Sequence, residues 1–131
     1  GGEASRFLLA LTAVLGQAAE RRVVVFDEVD EGVGGRAGAL VGRALARLAE
    51  RHQVLCITHL PQVAAFADRH LVVTKRTDGA RTWSEVTEVT GDARIDELAA
   101  MLGGPTEANR AAARDLLTAT GKGSASPPAV N

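Results

Sequence analysis

The residues Val23-Val24-Val25-Phe26 run directly into Asp27-Glu28-Val29-Asp30, and this junction restricts the fold more than any other stretch. Four consecutive large apolar residues with no polar alternation read as a short strand buried on both faces, the kind found in parallel sheets. Ligands of such sheets bind beyond the carboxyl ends of the strands. Asp27 and Glu28 are therefore expected to leave the core where α/β proteins carry out their chemistry. The plainer reading is a strand that ends in a solvated acidic loop, and other features must separate the two.

At 131 residues the chain is long enough for one compact domain with a core of its own. A formal net charge of -1 gives no broad basic field, which argues against a stand-alone DNA-binding domain. With three Phe, one Trp and no Tyr, aromatic platforms for stacking bases are not expected. The single cysteine, Cys56, excludes an internal disulfide and suits a reducing cytoplasm; within Val54-Leu55-Cys56-Ile57 it reads as a small buried hydrophobe. No apolar stretch reaches membrane-spanning length and no signal peptide is visible. The chain opens with Gly1-Gly2-Glu3 and a helical pattern in place of an initiator Met, so it is expected to be cut from something longer.

Apolar periodicity predicts a helix over about 3–19, with Phe7, Leu8, Leu11, Val14 and Leu15 as its stripe, and a strand over 22–26. The loop Gly32-Val33-Gly34-Gly35 leads into a helix over about 36–51 that uses Leu40, Val41, Ala44, Leu45 and Leu48, then a buried strand over 54–58. This order implies a right-handed parallel crossover. Leu60-Pro61 opens a short helix to about Phe66. Residues 70–75 and 81–89 read as strands joined at Asp78-Gly79, a hairpin signal. Asp92 is a candidate N-cap for a helix carrying Ile95, Leu98, Ala99 and Leu102; Gly103-Gly104-Pro105 breaks it, and Thr106 caps a last helix to about Thr120. Residues 1–120 form the folded lobe, and the Gly-, Ser-, Pro- and Ala-rich tail 121–131 is expected to be disordered.

Four chemical features fall in order along this scaffold. Gly1-Gly2-Glu3 opens a helix, Asp27-Glu28 ends a strand, Asp30 begins the glycine-rich loop, and Thr58-His59 ends the next strand. Glycines at a helix N-terminus expose backbone N–H groups to an anion that the helix dipole favours. A hydrophobic strand ending in Asp is the Walker B pattern, whose Asp helps hold Mg²⁺ on a bound nucleotide. A second acid beside it can deprotonate or orient an attacking water. An imidazole at the neighbouring strand end can donate to a phosphate oxygen or position that water. Each residue also has a plainer reading: Gly1-Gly2 as a simple helix opening, Asp30 as a turn former, His59 as a loop polar residue, and Gly32, Gly34 and Gly35 as a flexible connection. His52 and His70 read as surface residues.

Taken together, the stretches GGEASRFLLAL, VVVFDEVDEGVGGR, QVLCITHLPQVAAFADRHL and RIDELAAMLGG closely resemble the carboxy-terminal half of an ABC-type ATPase head of the SMC class, over roughly residues 1–117. The resemblance implies an α/β fold: a mainly parallel sheet core flanked by helices, with a terminal β-hairpin. It implies that Gly1, Gly2 and Glu3 belong to a signature motif that contacts the partner head's ATP, that Asp27 holds Mg²⁺, that Glu28 is the catalytic base, that Asp30 is the D-loop aspartate, and that His59 is the switch histidine. Gln62 follows without a catalytic role. Ala4 stands where Leu is frequent in the family, and Gly34 where Ser is common.

The P-loop pattern G-x-x-x-x-G-K-[ST] is absent, and Gly121-Lys122-Gly123-Ser124 follows no strand. In the family that loop lies in an amino-terminal lobe of the same protein, joined through a long coiled coil. The implied partners are that lobe, a second head in a homodimer that sandwiches ATP, and DNA. The implied setting is bacterial double-strand-break repair in the cytoplasm, at the nucleoid. The isolated chain is expected to bind DNA weakly or not at all and to lack turnover. Two other readings stand beside this one: a DExD-type helicase fragment, suggested by Asp27-Glu28-Val29-Asp30, and a non-catalytic dimerisation lobe.

Overall fold

A computed structural model describes residues 2–28 and 30–123, with the side chains of Gly2, Ala4 and Ser5 excepted. Gly1, the first signature-motif position, and residues 124–131 of the expected disordered tail lie outside the described residues. The chain divides into two compact units, 1–67 and 68–131.

The first unit runs α1 (Gly2–Gly16), β1 (Val23–Asp27), α2 (Gly35–Ala49), β2 (Gln53–Ile57) and α3 (Pro61–Ala64). Strands β1 and β2 pair in parallel, from Val23 opposite Gln53 to Asp27 opposite Ile57. The expected strand–helix–strand crossover is present. Phe26 joins a buried cluster with Leu8, Val33, Val41, Leu45 and Leu48, and Val24, Val54 and Cys56 pack partly buried against it.

Burial on both faces of the strands, as expected from the unbroken apolar run, is not found. Val23, Val25, Leu55 and Ile57 are 65%, 61%, 46% and 57% exposed. The parallel register puts these four on one face. Helices α1 and α2 contact each other and send their buried residues into the one cluster around Phe26. No element of the first unit covers the opposite face.

The helical stripes are also narrower than periodicity suggested. Among the described side chains of α1 only Leu8 and Thr12 are buried and Leu15 partly so, while Phe7 and Val14 stand exposed. In α2 the buried positions are Gly38, Val41, Gly42, Leu45 and Leu48, and Leu40 is exposed. The two glycines replace Leu40 on the covered side because the segment Leu60–Phe66 lies directly on them. A Cβ at Gly42 would sit 2.4 Å from Phe66 Cδ2 and 3.1 Å from the Gln62 carbonyl oxygen, and one at Gly38 would sit 3.2 Å from Leu60 Cδ1.

His52 is not a surface residue. Only 2% exposed, it accepts the Arg22 backbone N–H at Nδ1 (3.0 Å), and its Nε2 lies 2.9 Å from the Leu15 carbonyl. A lone pair on Nδ1 puts the hydrogen on Nε2, so Nε2 donates to Leu15. Two backbone groups distant in sequence, the Arg22 N–H and the Leu15 carbonyl, meet on this ring, which no surface reading of a lone His could anticipate.

The second unit pairs β3 (His70–Asp78) and β4 (Arg81–Val89) antiparallel, followed by α4 (Gly91–Met101) and α5 (Glu107–Ala119). Strand β3 runs three residues past its expected end, and Gly79, at φ 50°, makes the two-residue turn with Ala80. The hairpin is not terminal, because two helices follow it, and it is longer than the parallel pair that was expected to dominate. Arg69 grips Glu88 across the hairpin through Nε and an Nη at 2.9 and 2.7 Å. The cap of α4 is Thr90 rather than Asp92, since Gly91 takes a left-handed φ of 53° that turns the chain into the helix earlier; Asp92 sits in the first turn. Thr106 caps α5 as expected, accepting the Asn109 N–H at 3.2 Å. Leu98, Ala99, Ala113 and Leu117 are buried in this unit. His70 is half-buried, and its pKa is lowered by burial and by the nearby Arg94 charge.

Candidate functional site

Parallel pairing brings the two chemical strand ends together. Asp27 ends β1 opposite Ile57, which ends β2, and the ladder extends one bond further as the Glu28 N–H donates to the Ile57 carbonyl at 3.1 Å. Beyond that bond Glu28 adopts φ 49°, the one left-handed non-glycine conformation among the described residues. Its carbonyl accepts the Glu31 N–H at 3.1 Å and the Asp30 carbonyl accepts the Val33 N–H at 2.9 Å, so the acidic loop folds back as a tight turn. Held non-glycine αL residues concentrate at functional sites. Glu28 and Glu31 line an open cleft of about 390 Å³ with Phe7, Leu8, Leu11, Phe26 and Gly32.

Asp30 departs from a plain turn former. It is fully buried, and its partners lie on the far strand end. Oδ2 accepts the Thr58 hydroxyl and the Leu60 N–H at 3.3 Å, while that N–H also lies 3.0 Å from Thr58 Oγ1. Oδ1 is buried without a hydrogen-bond partner among the described residues and lies 3.7 Å from His59 Nδ1. His59 itself is largely exposed. Thr58, which the sequence reading placed beside His59 without a role of its own, is therefore a structural member of the site; its position directly after β2 was the available signal.

Cys56 lies one turn of the pleat before this network. Burial chiefly, and the Asp30 charge second, push its thiol up to about 11, so it stays protonated and unreactive. Among the described residues no group of three or more His, Cys, Asp or Glu side chains converges as a metal cage. Gly2 opens α1 and Glu3 is exposed in its first turn. The α1 residues that flank Glu28 in its cleft are Phe7, Leu8 and Leu11, further along the helix. No described helix is long and apolar enough to cross a membrane.

A scan against protein-family models gives no match. Curated proteins do match over almost the whole chain. A DNA repair protein RecN from Mycobacterium leprae is 55% identical over 125 residues, 93% of this chain and 21% of its own length. The chain matches the carboxy-terminal part of RecN proteins. The RecN of Deinococcus radiodurans is 51% identical over 89% of the chain, and that of Vibrio cholerae 43% over 91%. The chain spans about a fifth of the length of these RecN relatives. The matched span takes in both strand ends and the Asp30–Thr58 connection between them.

Proposed function

We propose that this chain is the carboxy-terminal lobe of an ABC/SMC-type ATPase head that acts in DNA double-strand-break repair and recombination. The observation that carries the reading is the meeting of Asp27-Glu28 and Thr58-His59 at the carboxyl ends of adjacent parallel strands, joined through Asp30. The relatives are named as DNA repair proteins, which supplies the repair setting.

In this reading Glu28 takes the proton of the attacking water and His59 steadies the γ-phosphate. Asp27, exposed at the end of β1, suits Mg²⁺, which is commonly held by one or two carboxylates together with phosphate oxygens rather than by an all-protein cage. When bound, the ion neutralises charge on the transferring phosphate. Gly1, Gly2 and Glu3 serve the ATP of the partner head, so two heads close a homodimer over nucleotide and reopen on hydrolysis. The bare apolar face of Val23, Val25, Leu55 and Ile57 favours a further layer from the same protein, the lobe that carries the P-loop. Contiguous exposed apolar area of this kind marks an interaction surface. DNA handling belongs to the intact cytoplasmic, nucleoid-associated protein.

The test is ATP hydrolysis by the intact protein beside its Glu28→Gln form. The variant should bind ATP, accumulate closed dimers by size measurement and turn over at least a hundredfold more slowly, on the order of a lost general base. Turnover at the parental rate would remove Glu28 from the chemistry.

A further inference from the structure

Building on the ATPase reading, we infer that Asp30 is a positioning residue for His59: one carboxylate oxygen locks the loop on both sides of the histidine, and the other holds Nδ1–H, leaving Nε2 as the nitrogen presented outward. The two donors to Oδ2 are Thr58 and Leu60, the residues immediately before and after His59. A carboxylate gripping both neighbours fixes the backbone from which the imidazole projects. Those partners lie 28 and 30 residues away in sequence, whereas a turn-forming Asp bonds the backbone one or two residues on.

The second oxygen supplies the independent observation. Oδ1 is buried and has no hydrogen-bond partner among the described residues. Leaving a buried charged acceptor unmet is costly, and His59 Nδ1 stands 3.7 Å from it. The ring is 68% exposed, so a small side-chain rotation brings Nδ1–H into range. A neutral imidazole has one donor and one acceptor nitrogen: with the hydrogen of Nδ1 committed to Asp30, Nε2 accepts a hydrogen from the attacking water, and it donates to the γ-phosphate only in the doubly protonated ring. Carboxylates that fix a functional histidine from behind in this way commonly change activity 10- to 100-fold when lost.

The experiment is a double-mutant cycle on ATP turnover by the intact protein, with Asp30→Asn, His59→Ala and their combination. Asp30→Asn should lower kcat about 10- to 100-fold with KM for ATP changed less than about twofold, and should add no further loss in the His59→Ala background. An unchanged kcat, or losses that multiply, would overturn the proposal. If Asp30→Asn fails to fold, Thr58→Val replaces it: Val should lower kcat only while His59 is present, and Thr58→Ser should restore the parental value. A protein labelled with ¹⁵N-histidine gives a readout independent of turnover. The ring signals lost in His59→Ala should report hydrogen on Nδ1, and hydrogen on Nε2 with none on Nδ1 would refute the inference. An inactive parent protein with the Nδ1–H form would sink the ATPase reading while leaving the Asp30–His59 pairing in place.

Discussion

His52 accepts the backbone N–H of Arg22 at 3.0 Å across a sequence separation of 30 residues. With its Nε2 on the Leu15 carbonyl, the same ring ties the end of α1, the approach to β1 and the start of β2 into one piece. His52→Ala would leave the Arg22 N–H unmatched, take one of two donors from the Leu15 carbonyl and open a cavity. The expected loss is about 3 kcal/mol of unfolding free energy, read by urea denaturation. A loss under about 1 kcal/mol would mean that the ring is not bonded at both nitrogens.

Gly42 marks the close approach of α3 to α2. Alanine would ordinarily favour a helix interior by about 1 kcal/mol over glycine. At Gly42 its Cβ meets Phe66 and the Gln62 backbone, and overpacking of this sort costs about 1–3 kcal/mol. Gly42→Ala should therefore destabilise the first unit in spite of the helix preference. Gly16, with nothing within 4 Å of an added Cβ, serves as the control and should tolerate alanine. Equal melting temperatures for the two variants would contradict the packing described.

The left-handed backbone of Glu28 separates its structural cost from its chemical role. Glycine adopts φ 49° without the roughly 1 kcal/mol that an L side chain bears there. Glu28→Gly should hold or raise stability while abolishing ATP turnover of the intact protein. Glu28→Val, with a β-branched side chain, should destabilise by about 1–2 kcal/mol. Denaturant titration of the pair checks the order, and a Val variant as stable as the Gly variant would show that the turn relaxes.

His70 makes the second unit sensitive to acid. Burial and the Arg94 charge hold its folded pKa below the ordinary value of 6.5. The unfolded chain then binds the proton more readily, so stability is complete above about pH 6.5 and falls as pH drops towards the lowered folded value. His70→Gln should flatten that fall. Melting curves at pH 7.5, 6.5 and 5.5 read the difference, and parallel pH profiles for parent and variant would place the acid sensitivity elsewhere.

The order of elements was legible from local signals. An unbroken apolar run, a Pro at a first helical turn, Asp78-Gly79 before a β-rich stretch and Thr106 before a helical pattern each act within a few residues, and each matches a described element. Asp27-Glu28 and Thr58-His59 could be placed at strand ends for the same reason, and the parallel pairing of β1 with β2 then puts them side by side. The roles assigned to these residues came from resemblance and stand as proposals.

What the sequence by itself determined was this succession of short-range choices, because propensity, capping and turn chemistry are decided by neighbours along the chain. Which face each element buries was decided only in three dimensions. Phe7 and Leu8 are equally apolar in sequence, yet of the two only Leu8 is buried in the cluster that holds Phe26 and Val41. Val23 and Val24 are the same residue type, and the pleat alone sends one into the core and the other outward. His52 became a buried connector and Asp30 a clamp on Thr58 because folding carried partners about thirty residues distant to within hydrogen-bonding reach. A buried polar side chain takes its role from the groups that replace its lost water, and those groups are set by packing rather than by the residues beside it in the chain.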